Sequence, residues 1–288
     1  MQGEHEQLVR VNETMNNDEI RKNLELASRA IKSADALLVG AGAGMGVDSG
    51  LPDFRGNEGF WRAYPKLKNQ NLTFSDMANP KWFHKKPRQA WGFYGHRYNL
   101  YAKTQPHAGF NLLKKWSDQK SFGSFVYTSN VDGHFQRAGF KENQIVECHG
   151  AINHFQCINL CSSDVWPVYG TYIEVDEEHL LATSDLPQCP HCKKLARPNI
   201  LMFNDFHWIE DRTNKQQELY SQWSEKSHNV VVIEIGAGLA IPTVRSACEV
   251  TGAFIIRINP REYLVEPPGI SIPLGAEEAL IKLDRLMK

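Results

Sequence analysis

Short apolar runs alternate with amphipathic segments along most of this chain. The first amphipathic segment begins near Asn17, with Asp18 and Glu19 in a first turn where negative charge favours the helix dipole. Its apolar side chains recur at helical spacing: Ile20, Leu24, Ala27 and Ile31. The pattern therefore predicts a helix from about residue 17.

Four apolar runs have the length and composition of buried strands: Ala36 to Val39, Phe125 to Tyr127, Val230 to Ile235 and Phe254 to Ile258. Helical patterns lie between or after them, at Ala108 to Trp116 and Ala276 to Met287. Short apolar strands that alternate with helices are typical of a parallel sheet covered on both faces. The chain is therefore predicted to have an α/β fold.

Two of the predicted strands run directly into glycine-rich loops, Gly40 to Gly46 and Gly236-Ala237-Gly238. Glycine lets a backbone approach a phosphate closely, and a dinucleotide lying across the carboxyl ends of such strands meets both loops. The first loop continues into Asp53-Phe54-Arg55, which brings an acid, an aromatic ring and a cation to one place. A nucleotide site is expected here.

Chain length, charge and hydropathy limit the domain size, the partners and the location that we expect for this protein. A chain of 288 residues holds one large domain or two smaller ones. With 32 basic and 33 acidic residues, its net charge gives no direct evidence for nucleic acid or an anionic membrane as a partner. The polar N-terminus lacks the apolar core of a signal peptide, and no apolar run is long enough to span a bilayer. We expect a soluble, cytoplasmic protein, whose oligomeric state is not indicated.

Four of the six cysteines form two close pairs, Cys157-x3-Cys161 and Cys189-x2-Cys192. Each pair fits a tight turn, and together they supply four thiolates for a tetrahedral zinc. Such a site has no open position, so its role is structural. The competing interpretations are buried cysteines without metal or a redox pair at 189 and 192. Cys148 and Cys248 are interpreted as ordinary small residues.

Two polar segments supply candidate catalytic groups. Thr128-Ser129-Asn130-Val131-Asp132-Gly133 follows a predicted strand, where open α/β sheets place functional loops. Asn130 and Asp132 also suit a simple turn. His149, in Glu147-Cys148-His149-Gly150, is one of eleven histidines, most of which we expect to be exposed or held by ordinary hydrogen bonds.

Taken jointly, GLPDFRG, TSNVDG, ECHG, the paired cysteines and EIGAGLAIP resemble the sirtuins in order and spacing, from about Glu19 to the C-terminus. The resemblance implies a Rossmann-type NAD-binding domain and a smaller, inserted zinc-binding domain. The implied segments are a flexible N-terminal extension (1–16), the discontinuous Rossmann-type domain (17–56, 106–150 and 198–288), a helical cofactor-loop insertion (57–105) and a zinc module (151–197).

The same resemblance implies how NAD is held. Arg55 would hold the phosphates, Phe54 would shield the anomeric carbon, and Trp61 matches an aromatic residue of the cofactor loop. Asn130 would order the ribose and a water, and Asp132 would bind the nicotinamide carboxamide. The full implied set is Ala43, Gly44, Asp53, Phe54, Arg55, Trp61, Ser129, Asn130, Asp132, Gly236, Gly238 and Asn259.

His149, with Asn130 and Asp132, forms the implied catalytic set. In sirtuins the acyl oxygen of an acyl-lysine attacks the nicotinamide ribose and nicotinamide leaves. His149 would then be the general base for the ribose hydroxyls, a task that suits an imidazole whose ordinary pKa is about 6.5. The 2′-oxygen would attack the imidate carbon, and water would complete the reaction. NAD is consumed, and the products are nicotinamide, free lysine and O-acyl-ADP-ribose. The implied partners are acyl-lysine proteins or peptides.

Two further segments match substrate-binding motifs. Ile200, Leu201 and Phe203 stand in the family's VVxFGE segment, where the substrate peptide would pair as an added strand. Tyr94 and Arg97 resemble the Tyr-x-x-Arg with which some sirtuins bind the carboxylate of succinyl- or malonyl-lysine. A core tyrosine and a surface arginine one helical turn apart would look the same.

Several positions depart from the family pattern. Ser129 replaces a glutamine, Gly46 replaces a serine, Gly236-Ala237-Gly238 replaces Gly-Thr-Ser, and Asn204-Asp205 replaces Gly-Glu. These changes favour weaker NAD binding or a different acceptor. Protein ADP-ribosyl transfer and NAD hydrolysis are therefore retained as alternatives to deacylation. A noncatalytic NAD- or ADP-ribose-binding module is a further alternative, against which the presence of His149 argues.

Overall fold

A computed structural model describes residues 15–53 and 56–288 of the chain. Nearly all of the predicted N-terminal extension, together with Phe54 and Arg55, lies outside these residues. Among the described residues, no helix combines the length and apolar character needed to traverse a bilayer.

Helices and strands alternate along the chain. The α-helices are α1 Asn17–Ser33, α2 Gly56–Ala63, α3 Pro65–Asn69, α4 Phe74–Met77, α5 Lys81–Lys85, α6 Pro87–Lys103, α7 Ala108–Ser117, α8 His134–Arg137, α9 Asp211–Lys226, α10 Thr243–Glu249 and α11 Ala276–Met287. The strands are β1 Ala36–Ala41, β2 Ser124–Thr128, β3 Ile145–Glu147, β4 Gly150–Cys157, β5 Val165–Pro167, β6 Val175–Asp176, β7 Leu181–Ala182, β8 Ala196–Ile200, β9 Val230–Ile235, β10 Phe254–Ile258 and β11 Ile270–Ile272. Short 3₁₀ helices lie at Ala43–Ser49 and Glu142–Gln144.

A six-stranded parallel sheet forms the larger part of the molecule, in the order β11-β10-β9-β1-β2-β3. The chain begins in the middle of this sheet at β1 and runs outward through β2 to β3. It later returns and builds β9, β10 and β11 on the other side. The boundary between β1 and β9 is therefore the topological switch point, where open α/β sheets bind ligands beyond the carboxyl ends of the strands. The predicted α/β fold is confirmed.

Both faces of this sheet are covered by helices. Successive side chains of a strand point to opposite faces, so each strand contributes to two cores. Leu37 and Val39 of β1 belong to a core that includes α1, α7 and α11, whereas Leu38 belongs to a second core that includes α10. The whole of β1 is buried. Burial on two faces explains why these strands are continuous apolar runs in the sequence.

The smaller domain has a separate, aromatic core. Phe60, Trp91 and Phe93 come from the helical segment, and they pack in one cluster with Phe155 of β4. The indole N–H of Trp91 donates to the carbonyl oxygen of Ala196 in β8, at 3.0 Å. β4 pairs with β5 and β8 in an antiparallel sheet. The helical and cysteine-bearing segments thus share one core, while the limits given above for each segment remain predictions.

Candidate functional site

The two glycine loops meet at the switch point between β1 and β9. The N–H of Gly44 donates to the carbonyl oxygen of Gly236, at 3.1 Å. A Cβ atom placed on Gly42 would lie 2.7 Å from Cα of Ala237, and Gly236 has a φ of 61°. Side chains at these positions would separate the loops, so glycine is required there. Ala43 is exposed beside the junction.

The loop after β2 is fastened to the first glycine loop. The Thr128 hydroxyl donates to the Ala41 carbonyl, and the Asn130 amide donates to the Gly42 carbonyl, each at 2.9 Å. The backbone N–H of Asn130 donates in turn to the Thr128 hydroxyl, at 3.0 Å. Asn130, which is predicted to order the ribose, is therefore half-buried at the carboxyl edge of the sheet, directly beside the first glycine loop.

Asp132 lies on the same loop. One of its carboxylate oxygens accepts from the backbone N–H of His134, at 2.9 Å. The other carboxylate oxygen of Asp132 would lie 3.8 Å from a Cβ atom on Gly46. Gly46, which replaces the family's serine, therefore adjoins the residue that is predicted to bind nicotinamide. The glycine leaves space beside the carboxylate that a serine side chain would occupy.

His149 lies in the turn between β3 and β4 and is half-buried. Burial lowers the pKa of its imidazole, and a hydrogen bond with the backbone of Ser129 partly opposes this shift. Its carbonyl oxygen accepts from the N–H of Leu201, at 3.0 Å. Because the neutral ring is favoured, His149 is suited to accept a proton at neutral pH. The structure places it next to the Ser129–Asp132 loop, as a shared site requires.

The second glycine loop is held by Asn259. The amide of Asn259 donates to the Ala237 carbonyl at 2.9 Å, and its oxygen accepts from the N–H groups of Arg261 and Glu262, both at 3.0 Å. Gly238 follows Ala237 in this loop. The side chain of Asn259 thus supports the second glycine loop. A contact between Asn259 and NAD remains a prediction.

Asp53 and Trp61 are the remaining predicted cofactor residues that the structure describes. Asp53 accepts from the guanidinium of Arg261, at 3.0 Å. The indole N–H of Trp61 donates to the Leu72 carbonyl, at 2.7 Å, and so braces the helical insertion. The predicted roles of Phe54 and Arg55 fall on positions outside the described residues and remain predictions.

Arg97 is not a surface residue, because 94% of it is buried in an aromatic box. Its guanidinium lies 5.4–5.8 Å from the ring centroids of Phe74, Phe93, Tyr94 and Tyr101. Both Nε and Nη2 donate to the Tyr101 hydroxyl, at 3.1 and 2.9 Å. The Tyr94 hydroxyl is buried and has no hydrogen-bond partner among the described residues. Sequence reasoning missed Tyr101, although its i+4 spacing from Arg97 is a usable signal.

The predicted peptide edge lies at the end of β8. Ile200 is buried, whereas Leu201 and Phe203 are 39% and 38% exposed. The N–H of Phe203 donates to the Ala78 carbonyl, at 2.8 Å. This edge therefore presents apolar side chains to solvent beside His149.

Asp205, a departure from the family pattern, points inward from this edge. Its carboxylate forms a two-point ion pair with Arg197, at 2.6 and 3.0 Å, and both side chains are almost fully buried. It also accepts from the N–H groups of Met202 and His207, at 3.3 and 3.2 Å. Asp205 therefore fixes the turn that carries the peptide edge.

The four paired cysteines converge on one point. All four Sγ atoms lie within 4.8 Å of one another, with 3.6 Å between Cys157 and Cys192 and 3.5 Å between Cys161 and Cys189. A tetrahedral site with Zn–S bonds of about 2.3 Å requires Sγ separations of about 3.8 Å. Although burial acts in the opposite direction, the N–H groups of Cys192 and His191 lower the pKa of Cys189 to about 7. The cluster fits a structural zinc.

Fold and site together define a Rossmann-type α/β protein with a four-cysteine module and a histidine at the carboxyl edge of the sheet. A model of the Sir2 family matches residues 42–242, and the chain belongs to that family. An NAD-dependent protein deacylase of Aquifex aeolicus is 30% identical over 224 residues, which cover 77% of this chain and 82% of that protein. An NAD-dependent protein deacetylase of Saccharolobus solfataricus is 26% identical over 271 residues, covering 90% and 98%.

Solved structures show the same fold. A mutant Sir2 homologue in complex with ADP-ribose superimposes with a TM-score of 0.68 at 23% identity, covering 91% of this chain and 96% of that one. A Sir2 homologue in complex with NAD has a TM-score of 0.68 at 22% identity, covering 91% and 93%. The predicted sirtuin resemblance and the predicted fold class are confirmed.

Proposed function

We propose that this protein is an NAD-dependent protein-lysine deacylase. The observation that carries the proposal is the half-buried His149, held with a lowered pKa beside the Asn130–Asp132 loop at the switch point of the sheet. Membership of the Sir2 family and the names of the relatives, NAD-dependent protein deacylases and deacetylases, support an enzyme of the sirtuin type.

The residues of this chain fit such a reaction. The touching glycine loops offer close backbone approach to the phosphates, and the nearness of Asn130 and Asp132 to these loops supports their proposed contacts with the ribose and the nicotinamide. NAD supplies the ribose carbon that receives the acyl oxygen when nicotinamide leaves. His149 then takes the proton of a ribose hydroxyl at its neutral ring nitrogen. The exposed side chains of Leu201 and Phe203 would contact the peptide that carries the acyl-lysine.

Product analysis tests this proposal directly. The zinc-loaded protein is incubated with NAD and acetyl-, succinyl- or malonyl-lysine peptides, and the products are identified by mass spectrometry. We expect nicotinamide, free lysine and O-acyl-ADP-ribose in amounts that depend on the acyl peptide. Folded protein that releases no nicotinamide with any peptide of the panel would exclude deacylation of these acyl groups.

We further propose that the preferred acyl group is acidic, as in succinyl- or malonyl-lysine. The buried Tyr94 hydroxyl lacks a partner among the described residues, and the Arg97 guanidinium lies 5.7 Å from the ring of the same tyrosine. A hydroxyl and a guanidinium together bind a carboxylate well, whereas an acetyl group has no carboxylate to accept hydrogen bonds from them.

Replacing Arg97 tests this preference. Arg97→Met keeps most of the side-chain volume and removes the charge. We expect the ratio of succinyl to acetyl kcat/KM to fall roughly tenfold or more, because a charge-assisted hydrogen bond contributes about 1.5–3 kcal/mol. An unchanged ratio in a folded variant would refute a carboxylate-binding role for Arg97.

ADP-ribosyl transfer or NAD hydrolysis is the second candidate, favoured by the altered loops. Ser129 is shorter than the family's glutamine, and Ala237 lacks the hydroxyl of the family's threonine. ADP-ribose attached to protein, or freed without acyl substrate, would identify these activities. NAD that stays intact until acyl-lysine is added excludes the hydrolase.

A further inference from the structure

Helix α9 contacts both the backbone and the carboxylate of Glu147, the last residue of β3, which lies only two positions before His149. Arg212 Nη2 donates to the Glu147 carboxylate at 2.5 Å, and the Thr213 hydroxyl donates to the Glu147 carbonyl at 3.1 Å. The N–H of Glu147 donates to the side-chain oxygen of Gln216, at 3.0 Å. All three partners lie in the first two turns of α9. The carboxylate also accepts a hydrogen bond from the side chain of Gln136.

The position of β3 in the sheet explains why these contacts are needed. β3 is the edge strand among the described residues, so within them its outer N–H and C=O groups have no neighbouring strand to pair with. Gln216 and Thr213 take the place of that strand for Glu147. The carboxylate is 1% exposed and requires a partner, which Arg212 provides while it also binds Glu142 at 3.0 Å. Gln216 is itself 94% buried.

His149 follows the strand end that α9 holds, and the Ser129 backbone and the Leu201 N–H also contact it. On the inner side, the N–H of Cys148 donates to the Thr128 carbonyl of β2, at 2.9 Å. On the outer side, the Gln216 side chain and the Thr213 hydroxyl of α9 bind the N–H and the carbonyl oxygen of Glu147. A general base must lie within about an ångström of its productive position, because a displacement of that size costs up to about a hundredfold in rate. Motion of the end of β3 would move the imidazole directly.

We propose that Arg212, Thr213 and Gln216 form a clamp on Glu147 that positions His149 for the base-dependent step. These three are positioning residues, since their hydrogen bonds are to Glu147 and not to the imidazole of His149. The inference rests on the proposed deacylase activity. It concerns the second part of that reaction, because nicotinamide leaves before His149 acts.

The double variant Thr213→Val/Gln216→Met tests the clamp. Both substitutions keep side-chain size, remove the two grips on the Glu147 backbone and leave the Arg212–Glu147 ion pair in place. Gln217→Met is the matched control, since Gln217 is the exposed neighbour on the same helix. Thr213→Ser keeps the hydroxyl and serves as the conservative variant. Thr213→Val alone is measured if the double variant does not fold.

Two rates are compared in each variant. Exchange of labelled nicotinamide into NAD, in the presence of acyl peptide, reports the first step, whereas formation of free lysine reports both steps. We expect the double variant to lose about tenfold in free-lysine formation while exchange changes less than about twofold. The Gln217→Met and Thr213→Ser proteins should match the wild type in both rates. An equal loss of both rates, or no loss of either, would overturn the clamp.

A measurement without NAD separates this inference from the proposed function. NMR titration of the His149 imidazole, assigned with a His149→Asn reference, should give a higher pKa in the double variant, because a loosened strand end admits water to the buried ring. An unchanged His149 pKa, together with unchanged rates, would overturn the clamp. If the wild type releases no nicotinamide with any acyl peptide, the proposed function fails, and the pKa comparison still decides whether α9 positions His149.

Discussion

His149 is the residue on which the proposed chemistry depends, and its surroundings set the pH range in which it acts. Burial lowers the pKa of the imidazole, and the Ser129 backbone only partly opposes this shift. A lowered pKa keeps the ring neutral to a lower pH. We therefore expect the acid limb of kcat/KM for deacylation to lie below the ordinary histidine value of about 6.5.

Two measurements check this expectation together. The pH dependence of kcat/KM gives the apparent pKa of the free enzyme, and NMR titration gives the pKa of His149 itself. The two values should agree and lie on the acid side of the ordinary value. An acid limb at a higher pH would mean that His149 is not shielded from solvent as described, or that another group controls the rate.

Tyr101 holds the guanidinium of Arg97, which we propose binds the acidic acyl group. Its hydroxyl accepts from both Nε and Nη2 of Arg97, so Tyr101→Phe leaves two buried donors without this acceptor. We expect kcat/KM for succinyl peptide to fall about tenfold and that for acetyl peptide to change less than about twofold. Tyr98→Phe is the matched control, because the Tyr98 hydroxyl donates to Val168 elsewhere in the domain. Equal losses with both peptides would contradict the assigned role.

The sequence predicted some of these residues and missed others for identifiable reasons. Asn130, Asp132 and His149 lie in loops directly after predicted strands, and strand ends are where chemistry is expected in such folds. Tyr101 was missed because the Tyr-x-x-Arg pattern ends at Arg97, although the next helical turn brings Tyr101 onto the guanidinium. The inward direction of Asp205 depends on Arg197, and no local pattern indicates which way an acid in a turn will point.

Among the helices and strands, too, some were predicted from the sequence and others were missed. The strands of the large sheet were predictable because burial on both faces makes them continuous apolar runs, and β9 and β10 were predicted to the residue. Helix α9 was not predicted, since Gln216 is its only buried residue and it therefore lacks an apolar stripe. Helix α6 was not delimited for the opposite reason, because it is buried on most sides and its apolar pattern has no clear period.

The turn after β8 is an element whose stability depends on one ion pair. Asp205→Asn keeps the size of the side chain but leaves the Arg197 guanidinium, 2% exposed, without its counter-charge. Breaking a buried pair in this way costs roughly 3–5 kcal/mol. We expect the free energy of unfolding to fall by about that amount, measured by urea denaturation. The KM for acyl peptide should also rise, since Leu201 and Phe203 stand on this turn.

A surface ion pair provides the comparison. Glu178 pairs with Lys66 at 3.5 Å, with 76% and 47% of the two side chains exposed. Glu178→Gln should leave the urea midpoint nearly unchanged, because solvent screens such pairs. If Asp205→Asn also left the urea midpoint unchanged, the buried ion pair would not stabilise the turn that carries the peptide edge.

At the scale of the whole molecule, the candidate site lies between two cores of different character. The large sheet buries its strands on both faces and forms the floor of the site. The smaller domain joins aromatic helices to a short antiparallel sheet, and β8 of that sheet leads directly into the peptide edge. Loss of order in the smaller domain should therefore reach the substrate site without unfolding the large sheet.

The cysteine cluster allows this coupling to be tested. Cys161 is the exposed member of the four, so Cys161→Ser removes one thiolate with little change in packing. The wild type should contain about one zinc per chain, because four thiolates complete a tetrahedral site. We expect the variant to lose zinc to a mild chelator, as measured by elemental analysis. Its smaller domain should unfold at a lower temperature than the large sheet, and peptide-dependent nicotinamide release should fall with the zinc content.

Ser163→Ala, an exposed change in the same segment, is the matched control and should retain zinc, stability and activity. The order of events distinguishes a structural metal from a catalytic one. If zinc is structural, activity lost during chelation should follow the loss of order at β4 and β8, monitored by hydrogen exchange, and not precede it. Activity lost while these strands remain fully protected would contradict the structural assignment. Freshly purified, folded wild type without zinc would contradict the site itself.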